Sequence, residues 1–134
     1  MTYKFQRLEI YHLALEYTDQ CYAVTEKLPR AEDFNLKSQL TRAATSIALN
    51  IAEGSTTQTD AEQSRFLGMA LRSLVETVAC HDLIERRKYL PMTDLQQSRA
   101  LGEKLFAKIQ AMKRSLGRAQ SIVPGRSSVV RQPS

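Results

Sequence analysis

The side chains able to do chemistry fall into four groups. Glu9-Ile10-Tyr11-His12 is a Glu-x-x-His segment. Helical bundles use that spacing twice over, with two further glutamates, to hold a pair of metal ions. The second copy is missing, because His81, the only other histidine, has Val78 three residues before it. No dinuclear metal site and no cofactor are therefore expected. Cys80-His81-Asp82, with Ser73, holds the residue types of a nucleophilic triad. Adjacent residues on a helix diverge by about a hundred degrees, so these groups cannot converge on one substrate atom. Cys21 and Cys80 read as small core residues. Gly54, Gly68, Gly102, Gly117 and Gly125 are scattered and build no phosphate-cradling loop. No catalytic residue is assigned, and the chain reads as a non-enzyme.

The third group is a polar stripe. Gln39, Arg42, Ser46, Asn50 and Glu53 step by three and four residues and so share one helical face, and Ser73 and Glu76 lie one turn apart further along. With a turn centred near Thr57, antiparallel pairing sets Arg42 within a turn of Ser73 and Glu76, and Asn50 near Phe66. The expectation is an Arg42–Glu76 ion pair, with Ser73 and Gln39 completing the hydrogen bonds. Such a network fixes helix register, as isolated polar core positions do in coiled coils. The same stripe could instead line a binding groove, but spacing alone shows no cavity, and the structural reading is preferred.

The fourth group is cationic. Overall, 19 Lys and Arg stand against 14 Asp and Glu, a net charge of +5. The excess is concentrated in residues 95–134, where Arg99, Lys104, Lys108, Lys113, Arg114, Arg118, Arg126 and Arg131 face the single acid Glu103. A basic end on a near-neutral body is the electrostatic footprint of a polyanion partner. A solubilising surface has the same composition. Lys104, Lys108 and either Lys113 or Arg114 can flank one side of a helix, with Arg118 and Arg126 beyond them. Phosphate contacts from such a row ignore sequence and weaken steeply with salt. Phe106, the one aromatic among these charges, reads as flanking the core. Base stacking is not expected there, and backbone or duplex-shape binding of RNA or DNA is the favoured mode.

Four amphipathic segments must position these groups. The first runs from about Arg7 to Lys27, with a stripe of Leu8, Tyr11, Leu15, Thr18 and Tyr22 widened by Ala14 and Cys21, and Pro29 stops it. The second spans about Leu36 to Glu53, N-capped by Asn35, carrying Leu40, Ala43, Ala44, Ile47 and Ile51, with Gly54 as a left-handed terminator. The third follows a Thr59/Glu62 capping box and runs to about Lys88. Its apolar set (Phe66, Leu67, Met69, Ala70, Leu71, Leu74, Val75, Val78, Ala79) is wider than one core face needs, which favours a second buried interface. The fourth follows Pro91 and a Thr93/Gln96 capping box, with Leu95, Leu101, Leu105, Ile109, Met112 and Leu116 apolar. The glycines at 68 and 102 fall inside helices and mark close helix approach.

No alternating strand pattern appears, so the expected architecture is all-α: an antiparallel up-down-up-down four-helix bundle over residues 1–120. Residues 121–134, with two prolines, a glycine and four serines, read as a flexible basic tail. A composition of 43% hydrophobic and 25% charged residues is that of a folded domain. The longest core-like run without charge, Ala43–Ala52, spans ten residues, too few for a membrane span. No apolar run follows the opening residues, so no secretory leader is expected. With two cysteines and no disulfide framework, a cytoplasmic setting is the default.

The stretch Gln39-Leu40-Thr41-Arg42-Ala43-Ala44-Thr45-Ser46-Ile47-Ala48-Leu49-Asn50-Ile51-Ala52-Glu53-Gly54 closely resembles the signature of the bacterial four-helix-bundle family encoded in intervening sequences of 23S ribosomal RNA genes. Phe66-Leu67 with Ala70, Ser73 and Glu76 resembles the family's second motif, Phe5, Leu8, Tyr11 and Ala14 its opening, and Leu28-Pro29 its first connector. The resemblance covers about residues 3–118. It implies an antiparallel bundle that assembles into a homo-oligomeric ring of five. It also implies kinship with the accessory variability proteins of diversity-generating retroelements, which bind RNA and reverse transcriptase through basic surfaces. Gln39, Arg42, Ser46, Asn50, Glu53, Ser73 and Glu76 match the family's polar positions, which does not make them catalytic.

Overall fold

Two prolines and one polar turn cut the chain into its helices. The computed structural model describes residues 2–121, which form α1 (Glu9–Glu26), α2 (Leu36–Gly54), α3 (Asp60–Arg86) and α4 (Met92–Ser121), with short 3-10 turns at Lys4–Arg7 and Arg30–Glu32. Among the described residues there is no strand. α1 packs on α2 and α4, and α3 packs on the same two, which closes an antiparallel four-helix bundle. Glu9 at the start of α1 reaches Lys108 late in α4, and Lys27 just past the end of α1 reaches Asp94 near the start of α4, so the two helices run in opposite directions. The tail expected over residues 121–134, Arg126 included, lies outside the described residues beyond Ser121.

The core follows the sequence pattern on α2, where Leu40, Ala43, Ala44, Ile47 and Ile51 are all buried. On α1 the buried face is rotated from the expected stripe. Ile10, Leu13, Ala14, Tyr17, Cys21 and Val24 point inward, while Leu15 and Tyr22 are 40% and 48% exposed. Both sets have helical spacing, and packing decides between them. The inward face is the one that lies between α2 and α4 and lets the Tyr17 hydroxyl reach a partner. On α3 the broad apolar set divides: Leu67, Ala70 and Leu74 enter the core, whereas Val75 and Val78 remain exposed.

The helix ends depart from expectation in instructive ways. Thr59 caps α3, its hydroxyl accepting from the Glu62 amide at 3.1 Å, but the reciprocal half of the expected capping box is not made, because the Glu62 carboxylate pairs with Arg65 at 2.6 Å. Asn35 occupies the N-cap position of α2, but its side chain caps nothing. The carboxylate of Glu32, from the preceding turn, does the work instead. It accepts from the Leu36 amide (3.2 Å), from Asn35 Nδ2 (2.9 Å) and from the Tyr89 hydroxyl (2.7 Å). The Tyr89 hydrogen bond, followed by the amide, holds this carboxyl below the usual range. α4 begins at Met92, so Thr93 falls inside it and forms no capping box. The left-handed residue is Lys88 (φ 60°), not Gly54. Tyr89 N donates to Ile84 O and Lys88 N to Glu85 O, the paired bonds of a Schellman ending.

Gly54 is required for a different reason. A β-carbon placed there would lie 2.8 Å from Phe66 Cβ, closer than two such atoms can stand. Gly102 likewise makes room for the Tyr17 ring, whose nearest atom would be 3.0 Å from an added β-carbon. Gly68 meets only Lys113 Cε at 3.4 Å, an ordinary contact and not a helix crossing. Helix propensity alone would have Gly54→Ala stabilise the protein by about 1 kcal/mol. The Phe66 contact reverses that sign, and urea unfolding is expected to show a net loss of about 1–2 kcal/mol.

Candidate functional site

The polar stripe is only partly drawn together. Ser46 Oγ and Ser73 Oγ lie 2.9 Å apart across the α2–α3 contact, and Asn50 Nδ2 donates to the Ser46 carbonyl (2.9 Å) and to its hydroxyl (3.1 Å). Gln39, Arg42, Glu53 and Glu76 are exposed. No ion pair joins Arg42 to Glu76. Water solvates both ends of that expected pair, so burial exerts no demand for it. Arg42, Ser46, Asn50 and Glu53 instead line a shallow depression with Tyr22 and Leu49, of about 390 Å³.

The cations of α4 divide among flanks. Lys108 turns to α1 and pairs with Glu9 at 3.3 Å. Lys113 turns to the other side, its Cε beside Gly68 of α3. Lys104, Arg114 and Arg118 are exposed. Lys104 and Arg114 make no ion pair among the described residues. Arg99, also on the α3 flank, is neutralised by Asp82 and Glu85, each at 3.0 Å.

The most organised polar feature is buried, and the sequence gives little sign of it. Tyr17 Oη lies 2.7 Å from Thr77 Oγ1, which donates to the Leu74 carbonyl at 2.6 Å, so the tyrosine is the donor of the pair. One turn along α3, His81 Nδ1 sits 2.7 Å from the Thr77 carbonyl, and Nε2 sits 2.7 Å from Ser98 Oγ on α4. A carbonyl only accepts, so Nδ1 carries the proton and Nε2 of the neutral ring is an acceptor. The single Ser98 hydroxyl proton has two acceptors, Nε2 at 2.7 Å and the Leu95 carbonyl at 3.1 Å, and the shorter contact takes it. Burial is the main force depressing the His81 pKa. Burial likewise raises the Tyr17 hydroxyl and pushes the Cys21 thiol up to about 12, which leaves that cysteine an inert core residue.

The His81–Ser98 distance is that of a base and its nucleophile. The two residues are, however, 1% and 2% exposed, and a backbone carbonyl stands where a triad has a carboxylate. No acyl group reaches Ser98 without parting α3 from α4. Above this pair the α3–α4 seam opens into an apolar groove of about 570 Å³, with Tyr17 and His81 in its floor and Val75, Val78, Met92 and Phe106 in its walls. Among the described residues no three His, Cys, Asp or Glu side chains gather to hold a metal. Glu9 is engaged by Lys108, and His12 Nε2 lies 2.6 Å from the Gln6 carbonyl. No described helix is long and apolar enough to cross a membrane.

Fold and site together define an all-α bundle with a wired polar interior, an open apolar seam and a cationic fourth helix. The chain belongs to the 23S rRNA-intervening sequence protein family, whose model matches residues 6–111. It is similar to a crystal structure from Bacteroides thetaiotaomicron VPI-5482, described as a protein with unknown function from the S23 ribosomal protein family. The two share 21% identity over 78% of this chain and 97% of that one, with a TM-score of 0.72, a likeness of fold. No curated protein matches the chain.

The buried imidazole makes stability depend on pH. An unfolded histidine titrates near 6.5, and the folded value lies below it, so the unfolded state binds the extra proton first as pH falls. Stability is therefore expected to decline below about pH 6.5 until the folded pKa is passed. An NMR titration that places the His81 midpoint below 6.5 would agree; a midpoint at or above 6.5 would not.

Proposed function

We propose that the protein is a non-enzymatic homo-oligomer that binds RNA through the outer face of α4. The observation that carries this reading is the pair Lys104 and Arg114, exposed and without an ion-pair partner among the described residues. Both belong to a segment, residues 95–134, that holds eight bases and one acid. Contacts of this kind hold phosphates without reading bases, and a ring of copies multiplies them. A ring of five is the assembly that the family resemblance implies. Val75, Val78 and Met92, exposed along the α3–α4 groove, supply apolar surface for self-association. An RNA-handling protein such as a reverse transcriptase, loaded with its RNA, is a partner of the same chemistry.

A second reading, a protein–protein scaffold whose positive charge serves solubility, draws on Lys108 and Arg99, both already neutralised by acids. Reversing two charges, Lys104→Glu with Arg114→Glu, distinguishes the readings. RNA affinity at low salt is expected to fall at least ten-fold, and the slope of log affinity against log salt to drop by about 2, with helicity unchanged. Unaltered affinity, or uniformly weak binding at low salt by the parent protein, would contradict the proposal.

A further inference from the structure

We infer that the connector end of the bundle is a binding site for single-stranded RNA, with Phe34 stacking on a base and Arg30, Arg87 and Lys88 holding the flanking phosphates. The inference deepens the RNA-binding reading and rests on it, but it uses a different surface from the outer face of α4.

Phe34 is 98% exposed, in a connector whose other large apolar residues, Leu28 and Leu36, are buried. Leaving a phenyl ring in water forgoes the apolar stabilisation that its neighbours gain. The backbone that carries the ring is nevertheless fastened on both sides. On one side Asp33 pairs with Lys37 at 2.6 Å, and on both sides the Glu32 carboxylate fastens the backbone through Asn35 and the Leu36 amide. The same carboxylate accepts from Tyr89 at 2.7 Å, which ties this connector to the one between α3 and α4. That bond brings Arg87 and Lys88 to the same end of the molecule as Arg30. Arg87 lies near enough to the Glu32 carboxylate to add to the lowering of its pKa, behind the hydrogen bonds from Tyr89 and Leu36.

Acids at this end are largely engaged. Asp94 pairs with Lys27, Asp33 with Lys37, and Asp82 and Glu85 share Arg99. Glu26 and Glu32 form no ion pair among the described residues, Glu32 being held by hydrogen bonds from Tyr89, Asn35 and the Leu36 amide. Arg30, Arg86, Arg87 and Lys88 are all exposed and form no ion pair among the described residues. An apolar protein surface fits this setting poorly, since charged residues are depleted at the centres of protein interfaces. An unstacked base with a phosphate on either side satisfies both the ring and the cations, and only a single strand offers such a base.

The chain contains no tryptophan, so Phe34→Trp places one fluorophore at the site. Titrated with a single-stranded uridine oligomer at low salt, this variant should bind as the parent does with its emission quenched, and an RNA duplex should quench it far less. Phe34→Ala should weaken single-strand binding roughly ten-fold, and Phe34→Leu nearly as much, because a leucine offers no ring. At 98% exposure neither change disturbs the fold. Unquenched emission on bound RNA, or full affinity in Phe34→Ala, would overturn the site while leaving RNA binding by α4 intact. No binding of any RNA by the parent would remove both readings. A Phe34→Ala variant that changes solution mass but not RNA affinity would make the ring a self-association anchor and overturn the inference.

Discussion

One hydrogen bond across the centre of the bundle, from the Tyr17 hydroxyl on α1 to Thr77 on α3, constrains most of what lies around it. α1 and α3 are diagonal partners, so this contact fixes how far each helix slides past the other through the core. From Thr77 the polar path continues through its own carbonyl to His81 and on to Ser98, which brings α4 into the same register. Gly102 belongs to the arrangement, because any side chain there would press on the Tyr17 ring. Groups buried this deeply are costly without partners. Each member of the path has one, and Gln20 Oε1 is the single buried side-chain atom without one among the described residues.

The surface follows from that interior. α3 is joined to α4 at His81 and Ser98, and beside this pair the seam forms an apolar groove along which Val75 and Val78 lie outside the core. The register also decides which cations of α4 face neighbours. Lys108 and Arg99 fall beside acids of α1 and α3, whereas Lys104 and Arg114 face solvent. At the connector end, Glu32 performs a similar task with a single carboxylate. It caps α2 and fastens the two connectors together, which holds Phe34 and the nearby bases at one end.

Much of the fold was legible in the residues. The helical periodicity, Pro29, Pro91 and Thr59 set four segments whose bounds the structure keeps to within a few residues. The α1 face was misread because Leu15 and Tyr22 repeat as regularly as Leu13 and Tyr17, and only the neighbours α2 and α4 choose between them. Lys88 in the left-handed region and Glu32 as a cap three residues early are decided by tertiary contacts that local rules do not carry. For the sites, residue type showed the cations but not their partners. The Tyr17–Thr77 and His81–Ser98 contacts join positions 60 and 17 residues apart, which no spacing rule connects. Phe34 left a weaker trace: an aromatic in a polar connector with a base on either side, Arg30 and Lys37.

A double-mutant cycle on Tyr17→Phe and Thr77→Val, read by urea unfolding, tests the central claim most directly. If the cross-core bond sets the register, each single change is destabilising and the pair is coupled by about 1 kcal/mol or more. Additive losses with no coupling would mean that the hydroxyls meet by proximity alone, and that packing without this bond aligns the four helices.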